Sequence, residues 1–490
     1  MQSRNKELSA LVKNQQPPEQ EITDVIVVGS GFAGLMAAIE AASLGAAVIL
    51  LEKRPSCGGN SIASDGVLVA TGCSLQQQAQ IEDRPEYLLE DMLKAGRHTN
   101  ELSLVKTLAE QTPEVCNWLI EDLGIAFREP PNQFAGHRVA RSLTPKRAIG
   151  TTIIKPMLAK LKSLGAIART GWQMTQLSLD EQGRVNGVQV VPFSNGKQKA
   201  ERQSPQWIQA RKAVILATGG FSADVEFRQQ LNPKLGKEIG CTNVPHATAE
   251  ALKEAMRIGA DVIDLENIQL APFTSPDEKG YGVAALLASY TVFPYGVLIH
   301  PETGKRFVNE LADRKTHVDA MLAIASPCLG IADSQGVALS GQPIDKCLQR
   351  RVASAFDNLS DLAAHYNLLD SALQDTLERY NHFVIQGHDD DFGKPIPPVS
   401  QPLKPPYYAV RLWPKVHYTM GGLRINSQAQ VIDTAGNVIK GLYAAGEVTG
   451  GVHGVSRLST TSITECLVFG RIAGREAAKQ QLEASLTSAR

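Results

Sequence analysis

Asp24-Val-Ile-Val-Val-Gly29-Ser30-Gly31-Phe32-Ala33-Gly34 is the stretch that decides how this sequence folds. Its first five residues are a β-branched, apolar run, which predicts a short buried strand. The alanine-rich stretch 35–45 follows with helical composition and ends at Gly45 as a C-cap. Residues 46–52, AAVILLE, read as the next buried strand. Strand, glycine turn, helix and strand make a βαβ unit with parallel strands. Each glycine has a physical task. Gly29 permits the tight turn, Gly31 lets a pyrophosphate approach the backbone, and Gly34 lets helix and strand pack closely. The helix N-terminus then faces the phosphates with free N–H groups and its positive dipole end. Glu52 closes the second strand, 23 residues after Gly29, where a carboxylate accepts hydrogen bonds from ribose hydroxyls and disfavours a 2′-phosphate. A lone glycine pattern is weak evidence, but here strand, helix and acid all fall where the site requires them.

Later segments extend the same sheet. RVNGVQVV (184–191) and KAVILATGG (212–220) read as strands, the second ending in a glycine turn. Residues 247–259 and 355–385 have helical character, and 386–406 is a proline-rich loop. LRINSQAQVID (423–433) reads as a strand, and the helix TSITECLVFGRIAGREAAKQQ (461–481) follows. No repeat or low-complexity tract interrupts this order.

Two further glycine clusters fall at strand ends: Gly58-Gly59-Asn60-Ser61 soon after Glu52, and Ala217-Thr218-Gly219-Gly220. Gly446-Glu447 lies much later, before the last helix. This layout resembles the two-dinucleotide-binding flavoproteins, in which distant segments return to enclose one FAD. Near the C-terminus the resemblance becomes specific. His417-Tyr418-Thr-Met-Gly-Gly422, then Gly441-Leu-Tyr-Ala-Ala-Gly446-Glu447-Val-Thr-Gly-Gly451-Val-His453-Gly, then Arg457-Leu, resemble the flavoprotein subunits of the fumarate reductase/succinate dehydrogenase family. Within it they are most similar to the soluble fumarate reductase and urocanate reductase-like branch. Gly304-Lys-Arg-Phe-Val-Asn-Glu310 with Arg314 resembles that family's capping domain.

The resemblance implies an α/β fold: a Rossmann-like FAD-binding domain over 21–268 and 415–490, with an inserted α+β capping domain over 269–414. Residues 1–20 are expected to be a flexible tail. The cofactor would be FAD, held without a covalent bond because the first glycine cluster has no histidine. Its binding residues would include Gly29, Ser30, Gly31, Phe32, Ala33, Gly34, Glu52 and Lys53. Gly59, Asn60, Ser61, Asp65, Gly66, Thr218 and Gly219 would join them, with Tyr418, Gly446, Glu447, Ser462 and Ile463 from the C-terminal segments. Arg314 falls where the family protonates the substrate carbon, and His417 and Arg457 fall where it binds a substrate carboxylate. The implied chemistry is hydride exchange between flavin N5 and one alkene carbon, with proton transfer at the other. Negative charge developing beside a carboxylate or carbonyl calls for such cationic neighbours.

Three features depart from the family pattern. A histidine that binds the second carboxylate of a dicarboxylate is replaced in Ile268-Gln-Leu-Ala271-Pro-Phe-Thr274 by Ala271. Tyr290 and Phe293 stand where an acid and an arginine would relay protons, and the usual R-L-G-G-N becomes Arg457-Leu-Ser-Thr-Thr461. These changes point away from fumarate, toward a larger and less anionic substrate. Tyr281, Tyr290, Phe293 and His453 are the candidates to line its pocket, although the three aromatics read equally well as core. A flavin-dependent oxidase, a ketosteroid-type dehydrogenase using a tyrosine donor, and a flavin-binding redox sensor without turnover are the competing readings.

Composition narrows the rest. The 490 residues are 43% apolar and 20% charged, with a formal net charge of −1, which carries no basic footprint for nucleic acid. Seven scattered cysteines form no C-x-x-C pair, so neither a disulfide framework nor a metal or haem site is expected. No apolar run is long enough to span a membrane and no signal peptide is evident, so a cytoplasmic protein is expected. Its electrons would come from or go to a separate partner.

Overall fold

The β-branched run is the core of strand β1 (Gln20–Val28) in a computed structural model that describes residues 20–134, 136–193 and 204–481. Apart from Gln20, which opens β1, the expected tail lies outside the described residues. The chain divides into two units. One holds residues up to 232, 245–268 and from 418 onward; the other holds 233–244 and 269–417.

The first unit is built on a parallel sheet. Helix α1 (Phe32–Ser43) connects β1 to β2 (Val48–Glu52). The helix begins three residues earlier than its alanine run, because Gly31 serves as N-cap; Leu44 is the C-cap and Gly45 follows at φ +84°. Beyond β2 come β3 (Ile167–Thr170), β4 (Trp172–Leu179), β5 (Val185–Pro192) and β6 (Gln206–Leu216). The C-terminal segment adds β7 (Gln430–Ile432), β8 (Val438–Ala444) and helix α2 (Thr461–Lys479). Among the described residues the sheet order is β7-β8-β6-β1-β2-β3, with the β4–β5 hairpin attached through β5 to β6. The β8-β6-β1-β2-β3 pairs are parallel, and both faces are covered, so β2 is buried at every residue.

Two sequence expectations change here. Residues 423–433 are not one strand. Leu423 ends a two-residue strand paired with Val262–Ile263, the chain then turns, and β7 starts at Gln430. The turn is set by the Asn426 carboxamide, whose oxygen accepts both Gln428 and Gln430 N–H at 3.0 Å. Residues 355–385 contain two helices, Leu359–Tyr366 and Asp370–Gln386, and open on strand Ala353–Phe356. Asn358 caps the first helix by accepting Asp361 N–H at 2.8 Å, and Asn367 ends it at φ +56°. The helices Leu102–Glu121 and Thr151–Ser163 fill a stretch in which no sequence element was assigned.

The second unit is built on an antiparallel sheet ordered Val297–Ile299, Cys328–Asp333, Tyr407–Leu412, Ala353–Phe356. Alternate residues feed two cores. Leu298, Cys328, Val410 and Leu412 enter one; Val297, Ile299, Leu329, Ile331 and Ala409 enter the other. The two-residue period of a strand therefore leaves neither face to solvent.

Helices α1 and α2 touch through glycine. A Cβ on Gly470 would lie 2.5 Å from Ala33 O, and one on Gly474 would lie 2.3 Å from Ala37 O. Beside this contact Glu40 accepts Arg471 Nε at 2.7 Å and Arg475 Nε at 2.8 Å. Gly470→Val should force the helices apart and lower stability by roughly 1–3 kcal/mol. Denaturant unfolding of the variant checks this; an unchanged midpoint would contradict the packing argument.

Candidate active site

At the nucleotide end, the glycines are held by sterics. Gly29 has φ +104°, and a Cβ there would sit 2.2 Å from Ala217 O; a Cβ on Gly34 would sit 1.8 Å from Gly29 O. Phe32 and Ala33 are buried in the first turn of α1. Ser30 ties the turn together. Its hydroxyl donates to Glu52 Oε2 at 2.5 Å and accepts Gly58 N–H at 2.9 Å. Ser30 N–H also reaches Glu52 Oε2 at 3.3 Å, and Arg54 N–H donates to Oε1 at 2.8 Å. The Glu52 carboxylate is thus buried and fixed while still holding acceptor capacity. Ser61 Oγ accepts Phe32 N–H at 3.1 Å, so the second glycine cluster reaches the start of α1. Gly59, Asn60 and Ser61 open a 3₁₀ turn, and Gly66 has φ +77°. Asp65 is exposed and accepts Val67 N–H at 3.1 Å. Lys53 donates to Thr248 Oγ1 at 2.8 Å and pairs with Glu250 at 3.3 Å. Thr218 and Gly219 follow β6, with Gly219 at φ +77°.

The C-terminal segments add a second cluster to the same unit. Gly446 follows β8 at φ +77°, where a Cβ would press on Ala33 Cβ at 2.9 Å. Glu447 Oε1 accepts Thr419 N–H at 3.0 Å. Burial pushes the Glu447 carboxyl up from 4.5 to about 7; the Thr419 N–H opposes this, nearby Glu465 adds to it, and Arg457 also opposes it. Tyr418 donates to Glu465 Oε2 at 2.6 Å, and His453 Nε2 meets the same oxygen at 3.0 Å. The Arg457 guanidinium lies over the Tyr418 ring, 4.6 Å from its centre. Ser462 and Ile463 are in the first turn of α2, whose N-cap Thr460 is left-handed at φ +62°. That strained β-branched residue is held by a 2.9 Å contact between its hydroxyl and Ser142 Oγ.

In the second unit, Arg314 opens helix Arg314–Ile324, and Asp313 caps that helix by accepting Lys315 and Thr316 N–H. The loop before it is anchored by Arg306, which pairs with Glu310 at 2.7 Å and Asp389 at 2.9 Å, all three buried. Arg314 lies over the Phe273 ring at 5.4 Å. The same ring meets Tyr281 at 5.8 Å and His417 at 6.1 Å between centroids. His417 Nδ1 is 2.8 Å from Thr242 Oγ1. Phe273 therefore gathers Arg314, Tyr281 and His417 around one apolar face. Ala271, fully buried, ends a strand just before it. Phe293 is buried against the His317 ring at 4.9 Å, and Tyr290 is half-buried in the preceding turn.

A family model described as an FAD binding domain matches residues 24–463. The chain is 38% identical over 460 residues to the acrylate reductase flavoprotein subunit of Shewanella woodyi, covering 92% of this chain and 90% of that one. It is 33% identical to the urocanate reductase of Eggerthella lenta, covering 94% and 76%. The open conformation of a flavocytochrome c3 fumarate reductase superposes with a TM-score of 0.80 at 32% identity, covering 98% and 81%.

The chain belongs to the FAD-dependent fumarate reductase/succinate dehydrogenase flavoprotein family. It is a flavin oxidoreductase acting on CH–CH groups. The residues present fit FAD. Side chains are excluded at Gly29 and Gly34, α1 starts at Gly31 without a side chain of its own capping it, and Glu52 stands at the end of the adjacent strand. A Cβ at Gly220 would lie 2.5 Å from Glu447 Oε1, so only backbone passes there. Among the described residues no cluster of His, Cys, Asp or Glu could hold a metal ion, and no helix is long and apolar enough to cross a membrane.

Phe273 and Glu465 are the site residues that sequence reading missed. Phe273 lies two residues after the singled-out Ala271, but nothing in the spacing places three polar groups on its ring. Glu465 sits in an amphipathic helix, where a glutamate ordinarily reads as solvated.

The Glu447 carboxyl gives a pH test on the FAD-free protein. Between about 4.5 and 7 the folded chain keeps a proton that the unfolded chain has released. This contribution to stability is complete below the unfolded value and is lost as pH rises through the folded one. Glu447→Gln should therefore stabilise the FAD-free chain by up to about 3 kcal/mol above pH 7, and by little near pH 4. Urea midpoints across that range test it, and a gain independent of pH would refute the assignment.

Proposed function

We propose that the chain reduces the C=C bond of an α,β-unsaturated monocarboxylate, or forms that bond in the reverse direction, using dissociable FAD. The observation that carries this reading is the composition around Phe273. Ala271 offers no donor, and a phenyl ring lies between Arg314, Tyr281 and His417. Such surroundings suit one carboxylate and one uncharged end, because a second carboxylate would be desolvated without a partner. The similarity to an acrylate reductase and a urocanate reductase supports it.

FAD, when bound, supplies or accepts the hydride at N5. The roles of the chain's own groups follow from their charge and place. Arg457 and His417 hold the carboxylate, which stabilises negative charge as it spreads onto the carboxylate in the transition state. Arg314 delivers the proton to the neighbouring carbon. Its position is set by the Asp313 cap, the Arg306–Glu310–Asp389 anchor and the Phe273 ring. Phe273 also keeps water from the guanidinium.

Arg314→Ala is the direct test. Photoreduced enzyme mixed anaerobically with acrylate-type enoates should reoxidise about a hundredfold to ten-thousandfold more slowly than wild type. Equal rates would remove Arg314 from the mechanism. A second reading, with tyrosine as donor, is favoured by Tyr281, whose ring lies 6.1 Å from His417. It predicts that Tyr281→Phe, rather than Arg314→Ala, abolishes reoxidation.

A further inference from the structure

Glu465 is almost completely buried in α2, one turn in from its N-terminus. Such a carboxylate is tolerated only where donors are arranged around it. Here both donors converge on one oxygen: the Tyr418 hydroxyl at 2.6 Å and His453 Nε2 at 3.0 Å. Tyr418 and His453 are themselves buried, and their rings meet edge to face at 5.6 Å. The geometry has two consequences. The Tyr418 hydroxyl hydrogen is committed to Glu465, so the residue offers its ring face, and Arg457 lies on that face at 4.6 Å. Facing a carboxylate, His453 donates through Nε2–H, which leaves Nδ1 as an acceptor open to a ligand N–H or O–H. That atom is buried and has no hydrogen-bond partner among the described residues.

We propose that Glu465 is a positioning residue: through one carboxylate oxygen it fixes the Tyr418 phenol and the His453 ring, and so sets the Arg457 guanidinium to receive a ligand carboxylate, with His453 Nδ1 beside it as an acceptor for a ligand N–H or O–H. The arrangement parallels an acid that orients a histidine from behind while the opposite nitrogen does the work. Glu465 touches neither reacting atom and acts through its two neighbours. The proposal rests on the reading of Arg457 as a carboxylate-binding group.

Glu465 acts by placing the groups that hold the carboxylate before reaction begins, so most of its effect should fall on binding and KM, with a smaller transition-state share on kcat. In Glu465→Gln the amide oxygen can still stand at the shared position, but the negative charge that strengthens both hydrogen bonds is lost while shape is kept. The FAD-loaded variant should retain its flavin content and melting temperature. Its KM for an accepted enoate should rise tenfold or more, with kcat within threefold of wild type. The dissociation constant for propionate, read from the oxidised flavin spectrum, should rise in parallel. Tyr418→Phe keeps the ring beneath Arg457 but removes its bond to Glu465, and should raise both constants at least threefold. The double variant should be no worse than the worse single one, since both act on one linkage.

Constants within twofold of wild type in Glu465→Gln, or additive effects in the double variant, would overturn the proposal. If Glu465→Gln failed to fold, Tyr418→Phe would carry the test alone, and unchanged constants there would overturn it too. If wild type reduced no enoate, the catalytic reading would fail on its own, while propionate binding would still decide the role of Glu465.

Discussion

The close approach of backbone to backbone around α1 is the constraint on which the FAD-binding unit depends. On one side Gly34 brings the helix so near the Gly29 carbonyl that no Cβ fits between them. On another, Gly470 and Gly474 let α2 lie against Ala33 and Ala37 at the same helix. Helix α1 is therefore gripped at its first turn and along its length by segments more than four hundred residues apart in sequence. The Glu40–Arg471–Arg475 ion pairs stand beside this contact and fix its register. Once α2 is seated, its N-terminus and the Arg457–Thr461 segment before it are seated too. Parallel pairing of β8 with β6 brings in Gly446 and Glu447 by the same logic.

Two acids of the FAD-binding unit, Glu52 and Glu447, are held differently. Glu52 is held by the Ser30 hydroxyl, the Ser30 N–H and the Arg54 N–H. Glu447 has the Thr419 N–H and a longer contact with the Thr419 hydroxyl at 3.4 Å. Burial raises a carboxyl unless hydrogen bonds to the anion offset it, so Glu447 moves toward neutrality in the chain alone. Glu52 is thus the more fully held of the two, and each carboxylate keeps acceptor capacity beyond the bonds it makes within the chain.

What could be read in the sequence follows from range. The glycine turn, α1, β2 and Glu52 form a local unit, so their spacing carries the physics. The C-terminal motifs were legible because glycine at Gly446 and Gly451 answers a backbone need, with positive φ at both. The Asn426 turn was missed because one carboxamide outweighed an alternating pattern. The departure at residues 459–461 was visible, but its consequence was not. Thr460 occupies a left-handed conformation that glycine adopts at less cost, and it is retained there by Ser142 and by the His137–Ser459 hydrogen bond at 2.8 Å. Those partners lie some three hundred residues away, and no local pattern announces them.

The same distinction bears on how an arginine can serve as an acid. Its charge is ordinarily secure because water solvates the guanidinium well. Arg314 is placed where that solvation is poor. It opens a helix, at the positive end of the dipole, and lies on the apolar face of Phe273. The Asp313 carboxylate before it accepts Lys315 N–H, Thr316 N–H and the Thr316 hydroxyl, which fixes the first turn of the helix. The ring attracts the cation more weakly than a carboxylate would. The loop that leads to this proposed proton donor is held from behind by the buried Arg306–Glu310–Asp389 anchor.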